Sequence, residues 1–116
     1  MSFPNARSIY LPDFISGYIK ELQNGLATID LPELEVVVNV LVAGIKRNAT
    51  IYTCGNGGSA AIAEHFVCDL LKGTSTDTLI KPIVHCLSSN TPTVTALAND
   101  ISYDQLFSFQ LERYGK

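Results

Sequence analysis

An apolar run, a glycine-rich turn and the start of a helical pattern follow one another at Ile51-Tyr-Thr-Cys-Gly-Asn-Gly-Gly-Ser59. No other part of the chain restricts its fold as tightly. The run reads as a buried strand and the pattern beyond the turn as a helix. Between them Gly55, Gly57 and Gly58 tolerate positive φ and lack the Cβ that would keep a ligand off the backbone. A helix start placed there offers free N–H groups and a positive dipole end to an anion. His65 lies six residues beyond Ser59, and Asp69 four beyond that. The order implies a phosphate-bearing small molecule at the turn with polar chemistry beside it.

The chain has 116 residues, enough for one domain with a modest core. Hydrophobic residues make up 47% and charged residues 16%, which favours a folded domain over disorder. Net charge is −3, and no basic cluster suggests a nucleic-acid surface. Cys54, Cys68 and Cys86 show neither zinc-ligand spacing nor an even disulfide framework. With no secretory pattern at the N-terminus, they imply a reducing, cytoplasmic setting. The greasiest run, Val36 to Ile45, is broken by Asn39 and too short to span a bilayer, so no membrane partner is expected.

The first ten residues read as an arm. Leu11, Ile15, Tyr18, Ile19, Leu22 and Leu26 then recur at helical spacing. Asp30-Leu-Pro-Glu33 resembles a capping box with proline in the first turn, ahead of a stripe from Leu34 to Ile45. Two amphipathic helices ahead of any sheet would make a dimerisation surface. Ala49 to Cys54 reads as a strand. Ala60 to Leu71 reads as a helix with Ser59 as N-cap and Gly73 as C-cap. On it Ala63, Phe66, Val67, Leu70 and Leu71 share one face, while His65, Asp69 and Lys72 lie opposite. Pro82 to Leu87 is a second strand, in which His85 is expected to be buried and hydrogen-bonded. A short helix from Thr91 through Ala98 follows. Ser102-x-x-Gln105 then caps a last helix with Leu106, Phe109 and Tyr103 as apolar positions. Ser88, Ser89 and Asn90 sit where strand ends line the crevice of a parallel α/β fold, as ligand contacts or as a polar turn.

Strand–helix alternation points to a parallel sheet covered by helices. Only two strands are visible, and a third is due where the chain stops. Either the chain is part of a larger domain or another chain completes the sheet. The expectation is one domain over residues 1–116, incomplete at its C-terminus.

The loop Gly55-Asn-Gly-Gly-Ser59, the pairs His65-Phe66 and Asp69-Leu70, and Leu97-Ala-Asn-Asp100 occur together and in order. This set resembles the sugar isomerase (SIS) domain family, in particular its phosphoheptose isomerase branch. The resemblance covers roughly residues 10 to 116 and only the first part of the family's domain. It implies a three-layer α-β-α sandwich, flavodoxin-like or Rossmann-like, truncated here after the second strand and preceded by two helices. It implies conversion of sedoheptulose 7-phosphate to a glycero-manno-heptose 7-phosphate, toward the heptose of bacterial lipopolysaccharide or capsule. It implies a cytoplasmic homo-oligomer, a dimer or tetramer.

Carried over by residue, the resemblance makes Gly55, Asn56, Gly57, Gly58 and Ser59 the substrate loop, with Asp100 as a further substrate contact; Ser88 is a candidate contact from its strand-end position alone. His65 matches a zinc-ligating histidine. Asp69 stands where the enzymes have a glutamate that serves as metal ligand and acid/base, and is one methylene shorter. The family's serine/threonine-rich phosphate cradle, and a later glutamine and histidine, have no counterpart in this sequence. The implied site is therefore half a site, with zinc expected only in a fuller form and no turnover from the short chain. The other class implied is a noncatalytic phosphosugar-binding or protein-binding SIS module, such as one that associates with a replication initiator.

Overall fold

The computed structural model describes residues 8–115. The arm expected over the first ten residues falls mostly outside them. Two compact units divide between Val40 and Leu41.

The first unit holds helix α1 (Leu11–Ala27) and the start of α2 (Leu31–Lys46). Pro12 and Asp13 open α1, as a first turn favours. Thr28 ends it, with both its N–H and its hydroxyl donating to the Gly25 carbonyl. The cap foreseen for α2 is present, since the Glu33 N–H donates to Asp30 Oδ1 at 3.0 Å. No residue of α1 or α2 is buried, and Ile15, Ile19, Leu22, Leu34, Val37 and Val38 are exposed.

The second unit carries the site. Helix α2 ends in a Schellman motif: Ala49 N–H donates to Gly44 O, Asn48 N–H to Ile45 O, and Asn48 takes φ 56°. Asparagine tolerates that left-handed backbone, and the chain turns directly into β1 (Thr50–Thr53). Helix α3 (Gly58–Cys68), a π-helical turn (Asp69–Gly73), β2 (Ile83–Cys86), α4 (Thr91–Asp100), a 3₁₀ turn (Tyr103–Gln105) and α5 (Ser108–Tyr114) complete it. β1 and β2 pair in parallel, Thr50 with Ile83 through Thr53 with Cys86. The result is an α/β fold with a small parallel sheet flanked by helices.

Register assigns the faces. Ile51, Thr53, Val84 and Cys86 share one, where the Thr53 hydroxyl donates to Ala63 O of α3. Tyr52 and His85 share the other, where the Tyr52 hydroxyl donates to Tyr114 O of α5. Ala63, Val84, Leu87, Leu97 and Leu106 form the buried apolar core among the described residues.

Several expectations need correction. Helix α3 begins at Gly58, so Ser59 lies inside the first turn and Gly57 is the N-cap. Gly73 closes a π turn rather than capping an α-helix. Phe66 and Leu71 are exposed, because a sheet this narrow covers only the centre of the apolar face of α3. His85 is exposed too, on the opposite face of the sheet, its ring beside that of Tyr52. Helix α4 runs to Asp100, so Asn99 and Asp100 lie within it. The last helix is split by the 3₁₀ turn, and Tyr103 is exposed.

Candidate functional site

The turn after β1 crosses the C-terminal edge of the sheet, and its three glycines are there for different reasons. A Cβ on Gly55 would lie 2.5 Å from the Ser59 carbonyl carbon, so α3 can start where it does only over a glycine. Gly57 has φ 55° and ψ −125°, a backbone that side chains other than hydrogen rarely adopt. Gly58 has neither constraint. Its φ lies outside the left-handed region, and a Cβ there would meet nothing within 4 Å.

Around Gly58 the polar groups are unengaged. Ser59 N–H donates to Asn56 O and Ala60 N–H to Gly57 O, which tightens the first turn. Among the described residues, the N–H groups of Gly57 and Gly58 and the side chains of Asn56 and Ser59 bond to no protein group. Two amides, a carboxamide and a hydroxyl at a helix start can receive an anion. Ser59 also lines an open groove with Tyr52, Thr53, Cys54, Ile62 and Phe66, so the Cys54 thiol does border the loop.

His65 and Asp69 extend this surface along α3. His65 Nε2 lies 3.6 Å from Asp69 Oδ1, and the side chains are 77% and 66% exposed. They share a shallow depression with Ala61, Ile62 and Phe66. Asp69 opens the π turn, where the backbone widens. Zinc wants three or four protein ligands. Among the described residues no third His, Cys, Asp or Glu joins the pair, so the donors present do not complete a zinc site.

The turn after β2 meets the glycine turn. Ser88 Oγ donates to Gly55 O at 2.7 Å and accepts from Gly55 N–H at 3.0 Å. Ser89 Oγ donates to Cys86 O, and Asn90 Oδ1 caps α4 by accepting from Thr93 N–H. All three side chains thus bond to backbone groups. Asp100 is placed apart. It sits at the far end of the ten-residue α4 from Asn90, roughly 15 Å along the axis, and accepts from Asn99 Nδ2.

Sequence reasoning missed Gln110. Its side chain is buried, and Nε2 donates to Leu87 O at 3.0 Å and to Leu106 O at 2.9 Å. A polar residue one position past Phe109 in an apolar pattern was the available signal.

A parallel β-α-β unit whose glycine turn opens onto a helix start defines an α/β domain with a small helix-flanked parallel sheet. The chain over residues 16–115 matches the SIS domain. A phosphoheptose isomerase of Alteromonas mediterranea is 34% identical over 103 residues, 87% of this chain and 52% of that one. One from Shewanella pealeana is 44% identical over 82 residues, 71% of this chain and 39% of that one. The solved structure of phosphoheptose isomerase from Neisseria gonorrhoeae aligns with a TM-score of 0.77 at 24% identity, covering 92% of this chain and 56% of that chain, a likeness of fold. The chain belongs to the SIS domain family and matches its phosphoheptose isomerase branch. It spans about half the length of the curated relatives it matches.

Proposed function

We propose that this chain carries the phosphosugar-anchoring part of a phosphoheptose isomerase. Its substrate would be sedoheptulose 7-phosphate, its product a glycero-manno-heptose 7-phosphate for bacterial surface heptose. The observation that carries the reading is the pair of unbonded N–H groups at Gly57 and Gly58, on the helix that also bears His65 and Asp69. An anionic or carbonyl oxygen there gains charge-assisted hydrogen bonds, with Asn56 and Ser59 beside it. Aldose–ketose exchange moves a proton between adjacent carbons and exchanges carbonyl for hydroxyl. Asp69 is the group that would move the proton, and His65 the one that would polarise oxygen. No step is assigned to zinc, because two donors do not complete its coordination.

The wider setting belongs to the same proposal. Further strands would extend the sheet to a three-layer sandwich. The exposed apolar residues of α1 and α2 would pair copies into a dimer or tetramer. No helix among the described residues is long and apolar enough to cross a membrane, and the net charge of −3 gives nucleic acid little to hold, which suits a cytoplasmic enzyme.

The test is a titration with sedoheptulose 7-phosphate read at backbone amides. Shifts should concentrate on Gly57 and Gly58, with a smaller response at Ser59, whose N–H is already engaged. Silence at all three with millimolar ligand would sink the reading. The noncatalytic alternative is favoured by Asp69, one methylene shorter than the glutamate of the resemblance. It predicts binding without turnover, whereas the isomerase reading requires that Asp69→Asn abolish any turnover found.

A further inference from the structure

The hydroxyl of Ser88 is committed to one residue. It donates to the Gly55 carbonyl at 2.7 Å and accepts from the Gly55 N–H at 3.0 Å, so a single side chain grips both sides of the first loop residue. Ser88 is itself held from behind. Leu87 is 2% exposed, its N–H donates to Thr53 O at 2.8 Å, and its carbonyl accepts from the buried Gln110. These bonds tie the end of β2 to the end of β1 and to α5 immediately before Ser88.

We propose that Ser88 is a positioning residue for the glycine loop, fixing Gly55 so that the Gly57 and Gly58 amides are already aimed when an anion arrives; this rests on the phosphosugar reading of that loop. The physical need is clear. A run with three glycines in four positions has a large conformational entropy, and any binding that must first order it is weakened. Gly55 cannot be stiffened by a side chain of its own, since a Cβ would strike Ser59. A neighbour that bonds its N–H and C=O together achieves the same restraint from outside. Gln110 is the anchor of that neighbour.

The test is amide hydrogen exchange on the protein with Ser88→Ala and, to keep the volume, Ser88→Cys. Exchange at Gly55 and Ser59, the loop amides that are hydrogen-bonded, should quicken about tenfold, the scale of one lost hydrogen bond, while the amides of Val84, Leu97 and Leu106 keep wild-type protection. Titration with sedoheptulose 7-phosphate should weaken by a similar factor in both variants. Wild-type exchange at the loop in Ser88→Ala would overturn the proposal. So would equal acceleration of loop and core, which marks a merely structural role. Lost binding with loop protection intact would overturn it too, since Ser88 would then touch the ligand itself. If the wild type does not respond to the sugar phosphate, the functional reading fails, and the exchange measurement still decides whether Ser88 holds the loop.

Discussion

Gly58→Ala separates a ligand from a turn as the reason for this glycine. Gly58 is the first residue of α3, has no left-handed backbone, and has open space within 4 Å of where a Cβ would stand. The fold alone gives it no reason to be glycine. Replacing it with alanine should restrict the unfolded chain and favour the helix by about 0.4–1 kcal/mol. For a unit of this size that raises the melting temperature by about 2–6 °C. On the phosphosugar reading, the same methyl would hinder an anion approaching the Gly57 and Gly58 N–H groups. Loss of a charge-assisted hydrogen bond, about 1.5–3 kcal/mol, weakens sedoheptulose 7-phosphate about ten- to a hundredfold. The neighbouring glycines should behave oppositely in stability. Gly57→Ala forces a side chain into φ 55°, at about 1–3 kcal/mol. Gly55→Ala drives a methyl into Ser59 and costs about as much. Thermal melts and calorimetric titration of the three variants give the signs directly. A stabilised Gly58→Ala that binds the sugar phosphate as the wild type does would refute the reasoning.

Three further outcomes follow from the same geometry. His65→Ala should change stability by no more than about 0.5 kcal/mol in urea unfolding, because the His65–Asp69 pair is exposed and 3.6 Å apart; a larger loss would give the pair a structural role. Leu106→Ala removes the most deeply buried side chain among the described residues, 1% exposed, and should cost about 2–5 kcal/mol by the same assay. Ile19→Glu with Leu22→Glu should dissociate an oligomer built on α1, lowering the sedimentation coefficient to that of a monomer while helicity is retained; a wild type already monomeric at micromolar concentration would remove the oligomer.

What could be read from the residues was the order of elements and the place of the loop. Both strands, the leading helices and the Asp30 cap stand where periodicity and capping chemistry put them. Burial was less legible. Periodicity identifies an apolar face but not what covers it, and a two-stranded sheet leaves Phe66, Leu71 and His85 exposed. The π turn at Asp69 has no periodic signature, since the pattern of apolar residues runs through it. Gln110 was hidden because its burial depends on a carbonyl, Leu87 O, that lies 23 positions away in sequence.

The residues that looked most chemical and those that hold the site in place are largely different sets. His65 and Asp69 are exposed side chains carried on a helix surface, and little else in the fold depends on them. Ser88, Leu87 and Gln110 carry no unusual chemistry, yet they link two strands, a helix and the loop through short hydrogen bonds. The parallel sheet explains the division. Its ladder ends at the pair Thr53 and Cys86, with Leu87 N–H still donating to Thr53 O, so both following turns leave the sheet at the same end. One turn is then free to present amides outward, because the other bonds it from beside. A glycine loop with no such neighbour would have to be ordered by its ligand, and the affinity would carry that cost.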